Sequence, residues 1–420
     1  MHLTRNQISS YNKTLILILS VASLIFLSFK DGIATKMLHA AGALSLLYIV
    51  MMPKKDFLKS PAFLIFCALC LFGIMNLAWY TLYKEPGTVF ANAYRGPMEA
   101  GKLAILSAFI FIALLSDDNT AFMIQPRKWI LCGALVAPVI YFIFAMWQHY
   151  HLHIDRIILS TSHATTAGYV IMSSALLSAI ATLKSDIKYK TLLFALTVVL
   201  GFLTLFATGT RSVILVYLVS IFLLITVEGI LSKKIDYRLY LFFLIAAVAG
   251  AFLFKDTLMN RAQEINSDLT HYENNDSVTS IGARLAMYEL GLKTYDAWGQ
   301  SIEQRNEKIR KVEAAEPRLS GALEFIDSHL HNDFIETLST RGLPGVLSIL
   351  LVYLSLIYYA VKKARQPCIL VMLLAVLAEG LSDVIFFSKS VPTSVFIAFV
   401  LLFVFLKAGS KIKQPIQIKE

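Results

Sequence analysis

The stretch "TLLFALTVVLGFLTLFATGTRSVILVYLVSIFLLITVEGIL", residues 191–231, decides the class of fold. It holds two apolar runs, 191–208 and 212–231, and each is close to the ~20 residues that a helix needs to cross a bilayer. Only a short polar turn separates them. The rest of the chain has the same character, since 57% of its 420 residues are hydrophobic, 28 are Phe and only 16% are charged. The sequence therefore predicts an all-α polytopic membrane protein.

Similar apolar runs recur along the chain and predict about twelve transmembrane helices. They lie at 14–29, 34–52, 61–83, 100–116, 129–147, 165–183, 191–208, 212–231, 239–254, 343–361, 367–387 and 391–406. The predicted organisation is nine spans in residues 1–255, a polar loop that carries catalytic residues at 256–342, and three spans with a tail at 343–420.

Basic residues are unevenly divided between the short loops, and this division predicts the orientation. With the N-terminus inside, cytoplasmic segments hold twenty basic residues and the opposite short loops about seven. The cytoplasmic set is Arg5, Lys13, Lys54, Lys55, Lys59, Arg127, Lys128, Lys184, Lys188, Lys190, Lys233, Lys234, Arg238, Lys362, Lys363, Arg365, Lys407, Lys411, Lys413 and Lys419. The opposite set is Lys30, Lys36, Lys84, Arg95, Arg156, Arg211 and Lys389. The positive-inside rule thus predicts that both termini are cytoplasmic.

One connection is long and acidic, unlike the others. Residues 256–341 number 86, with 15 acids and 9 basic residues, so this segment is −6 while the rest of the chain is +16. Its first part is rich in Ser, Asn and Asp, and "ARLAMYELGLKTYDAWG" then has apolar residues at helical spacing. We expect a small helical cap outside the cytoplasm.

Several chemistries have no support in the sequence. No Gly-rich loop ends in Gly-Lys-Ser/Thr, and no Asp-x-Asp stands outside the predicted spans, so nucleotides, nucleotide sugars and a catalytic metal are not expected. The positive charge is spread over short loops, which argues against nucleic acid. In "HYHLH", an extended backbone would align His149, His151 and His153 as metal ligands, whereas imidazoles at the lipid headgroup level are the plainer reading.

The segment "HLHNDFIETLSTRGLPG", residues 329–345, combines helix boundaries with a candidate base. His331-Asn332-Asp333 offers capping side chains, Gly342 can end the helical turn, and Pro344 suits the start of the next span. Capping gives no reason for a histidine at this boundary. Neutral His331 can accept a proton from a hydroxyl.

Other polar side chains are expected at the same depth. Arg211 stands in a turn of a few residues, and Arg284 stands where the cap becomes helical. Each is either a positive charge held in a fixed position or an ordinary surface arginine. Glu379 and Asp383 are four apart, so they are predicted to share a helical face, either orienting a histidine or forming a structural salt bridge. A basic patch in the cap is either a solvated helix face or a contact for phosphorylated glycolipid. It comprises Arg305, Lys308, Arg310, Lys311 and Arg318.

These residues carry a resemblance to a known family. His331-Asn332, nine residues, Gly342, two residues and Gly345 match the H-[NSQ]-x9-G-x-x-[GTY] pattern of the bacterial O-antigen ligase and polymerase superfamily. Segments "NDSVTSIGARLAMYELGL" and "LSDVIFF" resemble the ligases more than the polymerases. The strong resemblance covers roughly residues 270–390. The arrangement of predicted spans is a weaker resemblance that extends over the rest of the chain.

The resemblance implies a glycosyltransferase with a GT-C-like arrangement of spans in the bacterial inner membrane and an active site on the periplasmic face. Its donor would be O-antigen on undecaprenyl diphosphate and its acceptor the lipid A core, without metal or nucleotide cofactors. Arg211 and Arg284 match the family's essential arginines and His331 its proposed base. Asn332 and Asp383 are expected to contact substrate, and Gly342 and Gly345 to shape the motif. His329 lies outside the motif register and is assigned no role.

Two rivals remain from the sequence. An O-antigen polymerase would use a second lipid diphosphate as acceptor, so dependence on the acceptor separates it from a ligase. A flippase or transporter would place polar residues through the depth of several spans. Here the polar residues gather at one end of the spans, which favours the enzyme.

Overall fold

The computed structural model describes residues 5–51, 57–116, 120–234, 236–253 and 266–412, and over these residues it is helical without strands. The apolar helices are α1 (Arg5–Phe26), α2 (Asp31–Val50), α3 (Phe63–Tyr83), α4 (Ala91–Leu115), α5 (Thr120–Leu152), α6 (Ala164–Leu183), α7 (Lys190–Ala207), α8 (Arg211–Ser232), α9 (Tyr237–Leu253), α12 (Asp333–Tyr358), α13 (Cys368–Ser382) and α14 (Ser390–Ile412). Between α9 and α12 the chain forms a helical stretch at 266–273, α10 (Ser280–Thr294), α11 (Ile302–Ala315) and a 3-10 turn (Pro317–Ala322).

The prediction of an all-α polytopic membrane protein is confirmed. Each predicted span falls on one of the apolar helices, and ten of these helices within the described ranges are long and apolar enough to cross a bilayer. The other two, α9 and α13, have 17 and 15 residues. The number of spans remains a prediction. Lys54, Lys55, Lys413 and Lys419 of the predicted cytoplasmic set, and loop residues 256–265, lie outside the described residues.

Two helices form the centre of the bundle. Nearly every residue of α6 and α14 is buried, whereas the surrounding helices bury only part of their surface. These two helices pack on each other, and α14 also packs on α4 and α5. Small side chains permit the close approach: the Ser173 hydroxyl of α6 hydrogen-bonds the Ser394 hydroxyl of α14. Burial on all sides, and not greater hydrophobicity, thus marks the interior helices.

The prediction of a span at 367–387 is too long at its C-terminal end. Helix α13 stops at Ser382, because Asp383 takes an extended conformation with φ −156° and ψ 175°. Fifteen residues rise only about 22 Å, short of the ~30 Å of a hydrocarbon core. Irregular backbone at membrane depth is tolerated where it is buried in protein, and Val384, Ile385 and Phe386 are buried.

The cap of α10, α11 and the 3-10 turn has a core of its own. Apolar side chains from all three elements meet there, among them Met287, Leu290, Ile309 and Leu319. The cap sits on the end of the bundle where α12 begins. We call this end the motif rim, since His331 lies there.

Candidate active site at the motif rim

Asn332 fixes the start of α12, as the sequence predicts. Its side-chain oxygen accepts hydrogen bonds from the backbone N–H groups of Phe334 (2.9 Å) and Ile335 (3.1 Å). Its amide nitrogen donates to the carbonyl of Leu381 at 2.8 Å. Both ends of this buried amide are therefore engaged within the protein, and they join the start of α12 to the end of α13.

His331 is held by a carboxylate. Its Nδ1 lies 2.9 Å from Oδ1 of Asp383, and the hydroxyl of Tyr169 in α6 donates to Oδ2 of the same carboxylate at 2.8 Å. The backbone N–H of Val384 also donates to Oδ1, at 2.8 Å. Three elements of the bundle therefore converge on Asp383, and Tyr169 is a member of this cluster that the sequence did not point to.

The ionisation of Asp383 decides which histidine nitrogen carries the proton. Burial alone would raise the pKa of Asp383, but hydrogen bonds from His331 and Tyr169, together with the nearby imidazoles, outweigh burial and hold this pKa below its usual range. An ionised carboxylate only accepts hydrogen bonds, so Nδ1 of His331 must be the donor. In a neutral ring, Nε2 then carries the lone pair and can take a proton.

The backbone of His331 is strained. Its φ of 46° lies in the left-handed region, which costs a non-glycine residue on the order of 1 kcal/mol. Tyr288 of α10 stabilises this conformation, because its hydroxyl donates to the carbonyl of His331 at 3.0 Å. The Leu381 carbonyl lies 3.2 Å from the same hydroxyl. The cap thus helps to set the direction of the histidine ring.

His329 also lies in the cluster, although its position outside the motif register suggested no role. Its ring meets the His331 ring edge-on at 4.4 Å between centroids and the Phe387 ring at 4.7 Å. Burial lowers the pKa of His329, and the neighbouring His331 adds to this effect, whereas Asp383 opposes it. His329 thus favours the neutral form and packs against one side of His331.

Arg284 faces the same cluster from the cap. It is exposed on α10, one turn before Tyr288, and it interacts electrostatically with Tyr288 and Tyr169. Within the described residues no carboxylate forms an ion pair with Arg284. Its guanidinium is available to an anion in front of His331.

Arg211 approaches from the other side of the rim. It is the exposed first residue of α8, which packs on α13. The next residue, Ser212, lies close to the carboxylate of Glu379, four residues before Asp383. Arg211 likewise has no ion pair with any carboxylate in the described ranges.

The predicted shared face of Glu379 and Asp383 is wrong in one respect. Glu379 lies on α13 and is fully buried, and the N–H of Asp383 still donates to the Glu379 carbonyl at 2.8 Å, but the extended backbone of Asp383 turns its side chain away from the helical face. The carboxylate of Asp383 is held in this direction by its hydrogen bonds with His331 and Tyr169. Of the two roles considered, orientation of a histidine describes the geometry of Asp383.

The glycines of the motif shape a corner in α12. Gly342 has φ 65°, and a Cβ there would lie 2.5 Å from the Ala297 carbonyl oxygen. The helix therefore breaks at this residue, as predicted. It resumes directly afterwards, and Pro344 lies in the first turn of the new segment. Gly345 leaves room for Arg341, whose Cβ would be 2.5 Å from an added methyl group.

The predicted basic patch is wrong for Arg305. This side chain is fully buried, and its Nη1 lies 3.0 and 2.9 Å from the two carboxylate oxygens of Glu336 in α12. Its Nη2 also donates to the Ile326 carbonyl. Arg305 thus fastens the cap to α12.

The remaining members of the patch pair with acids. Arg318 is bound to Glu289 and Glu316. Lys311 lies 2.6 Å from Glu307, the predicted i, i+4 pair. Lys308 and Arg310 face Asp296 and Asp327 at 3.8 and 3.7 Å. These contacts describe a solvated helix face with compensated charge.

The extended backbone that would align His149, His151 and His153 as metal ligands, the less favoured alternative, is not found, because α5 continues to Leu152 and residues two apart on a helix point in nearly opposite directions. In the part of the chain that the structure describes, the group with metal-ligand spacing is His329, His331 and Asp383, whose ligand atoms lie within 4.8 Å of one another. Both Asp383 oxygens already accept hydrogen bonds. The arrangement fits proton transfer with the side chains as they stand.

Fold and site together define a multi-pass membrane protein with a histidine–carboxylate pair and two exposed arginines at one rim. A profile of the O-antigen ligase family matches residues 196–350. The chain is 31% identical to the O-antigen ligase of Escherichia coli K12 over 398 residues, 92% of each chain. It is also 28% identical, over 246 residues, to an uncharacterized Haemophilus influenzae protein, covering 56% of this chain and 61% of that one. The chain belongs to the O-antigen ligase family and is an enzyme of lipopolysaccharide synthesis.

Proposed function

We propose that this enzyme transfers O-antigen polysaccharide from undecaprenyl diphosphate to a sugar hydroxyl of the lipid A core, on the periplasmic face of the inner membrane. The observation that carries the proposal is the chain of contacts Tyr169, Asp383 and His331, with exposed Arg284 beside it. The uneven distribution of basic residues supports the periplasmic side.

His331 acts as the general base. Its Nε2 takes the proton of the acceptor hydroxyl while the hydroxyl oxygen attacks the anomeric carbon from the face opposite the diphosphate. The new carbon–oxygen bond forms as the bond to the diphosphate oxygen breaks, and the leaving group departs with the electron pair. A single displacement inverts the anomeric configuration. Asp383 keeps Nε2 directed at the acceptor and stabilises the imidazolium that forms.

Arg284 and Arg211 bind the diphosphate. Negative charge grows on the leaving oxygen as the glycosidic bond breaks, and guanidinium groups match phosphate oxygens with two parallel hydrogen bonds. Their lack of a carboxylate partner in the described part of the chain supports this role, since a paired arginine would have to exchange one anion for another. The activated diphosphate supplies the driving force, so neither ATP nor a nucleotide sugar is needed.

The test is ligation by the purified enzyme in vesicles, with lipid-linked polysaccharide as donor and O-antigen-free lipopolysaccharide as acceptor. We expect product only when both are present. Growth of longer lipid-linked polymer without the acceptor would instead identify a polymerase. One variant probes the role of the base. His331→Ala should bind donor normally but transfer it ~10²–10⁴ times more slowly.

The arginine variants separate charge from geometry. Arg284→Lys and Arg211→Lys keep the charge but lose the planar fork, so each should lose most activity while inserting normally. Arg318→Lys is a matched control, because Arg318 also lies in the cap region but is paired with Glu289 and Glu316. Activity near that of the unaltered enzyme in both Lys variants would contradict diphosphate binding by these arginines.

A further inference from the structure

One aromatic side chain of the cap stands apart from the rest. Trp298 is 83% exposed, whereas Trp79, close to it in the fold, is 4% exposed. Tyr295, three residues earlier, is also exposed. An indole that is this much more exposed than Trp79 indicates a partner for this surface.

The segment around Trp298 is fixed rigidly to the motif rim. The N–H of Leu343 donates to the Ala297 carbonyl at 3.0 Å, and the N–H of Gln300 donates to the Thr340 carbonyl at 2.8 Å. The hydroxyl of Tyr83, the last residue of α3, donates to the Gly299 carbonyl at 2.9 Å. The backbone on both sides of Trp298 is therefore bonded to the ends of α3 and α12, and its height relative to these helices is set.

The same helix ends show where the lipid surface lies. Leu82, in the last turn of α3, is 76% exposed. Leu343, Leu347, Leu350 and Leu354 form an exposed apolar stripe that descends α12 from the corner at Gly342. Both helices are apolar enough to cross the bilayer, so these leucines face hydrocarbon. Trp298 stands at the top of this lipid-facing surface, next to Ala297, which is bonded to Leu343.

We propose that residues 295–299 form a membrane-contacting segment of the cap, with the Trp298 indole placed at the boundary between headgroups and hydrocarbon. Trp prefers this depth because its ring is largely apolar while its N–H seeks a polar partner. Helix α11 of the cap differs in character: Lys311 and Glu307 form an exposed ion pair suited to water. The segment thus fixes the cap at headgroup level, and the inference does not depend on the proposed reaction.

The test is fluorescence of the full-length protein in phosphatidylcholine vesicles with brominated acyl chains, which quench nearby indoles. The emission of Trp298 is obtained as the difference between the unaltered protein and Trp298→Phe, a change that removes no hydrogen bond made by the exposed side chain. We expect this emission to be quenched most by bromines near the headgroups and little by aqueous acrylamide. The control is Lys311→Trp in the Trp298→Phe background, since Lys311 is 72% exposed on α11 in a charged pair with Glu307. That indole should show the reverse pattern.

Two outcomes would overturn the proposal. Free quenching of Trp298 by acrylamide with no effect of brominated lipid would place the indole in water. Protection from both quenchers that disappears as the protein is diluted in lipid would show that a second copy of the chain covers the surface.

Discussion

Replacing Tyr169 by Phe removes one hydrogen bond from the site and little else. The ring is almost completely buried in α6, and its hydroxyl donates to Oδ2 of Asp383 at 2.8 Å. Phe fills the same space. The carboxylate retains His331 and the Val384 N–H as partners on Oδ1, but Oδ2 loses the donor that fixes the plane of the carboxylate.

A hydrogen bond to an ionised group contributes about 1.5–3 kcal/mol, which corresponds to roughly 10–100-fold in rate if the whole effect appears in the transition state. Because two donors to Asp383 remain, we expect the lower end, about a tenfold fall in kcat. The KM values for donor and acceptor should change little, since Tyr169 acts through Asp383 and His331 on the proton transfer.

The assay is steady-state ligation by purified Tyr169→Phe in vesicles, compared with Tyr141→Phe. Tyr141 is also a buried tyrosine, and its hydroxyl donates to the Leu24 carbonyl at the same 2.8 Å, away from the motif. Both variants lose one buried hydroxyl, so any general loss of stability should be similar. Only Tyr169→Phe should lower kcat.

The pH dependence provides a second readout. The folded protein lowers the pKa of Asp383, so the carboxylate stays ionised until the pH falls through that lowered value. Removing the Tyr169 hydroxyl takes away one cause of the lowering and raises this pKa. Because ionised Asp383 stabilises the folded protein, Tyr169→Phe should unfold in acid at a higher pH than the unaltered protein, and Tyr141→Phe should not. An unchanged kcat and an unchanged pH of acid unfolding would refute the orienting role of Tyr169.

Three further changes test other parts of the structure. Arg305→Ala leaves Glu336 buried without its cation and should destabilise the protein by ~3–5 kcal/mol, measured as a lower Tm, whereas an apolar replacement of both residues should recover most of the loss. His329→Ala should keep activity within about tenfold of normal, as expected if the ring only packs against His331; a loss as large as that of His331→Ala would give it a chemical role. A cysteine at Asn275 should react with an impermeant reagent from the periplasm and one at Lys234 should not, and the opposite pattern would reverse the orientation.

The helices were predictable because hydrophobicity over about twenty residues is a local property of the sequence. The corner at Gly342 was also predictable, since the Gly and Pro of the motif restrict the backbone locally. The end of α13 was not. "LSDVIFF" has no Gly or Pro at the break, and Asp383 leaves the helix because His331 and Tyr169, distant in sequence, hydrogen-bond its carboxylate.

The residues of the candidate site also divide into those that the local sequence predicts and those that it does not. His331 and Arg284 stand at boundaries between polar and apolar sequence, so their types and positions pointed to the rim. Tyr169 is a single tyrosine at the start of an apolar span, where a packing role is the usual reading. Arg305 belongs to a run of exposed basic residues, and its burial follows from Glu336, 31 positions away. Such long-range partners leave no local signal.

The buried contact between Arg305 and Glu336 holds the cap in one position on the end of the bundle. Lifting it would break the ion pair together with the backbone hydrogen bonds from Leu343 to Ala297 and from Gln300 to Thr340, so the closed position is strongly favoured. The Tyr288 bond to the backbone of His331 would be lost as well. A hinged lid is therefore a poor route for large substrates. Lipid-linked molecules can instead diffuse laterally within the leaflet and enter between helices of the bundle, while their sugar chains remain in water.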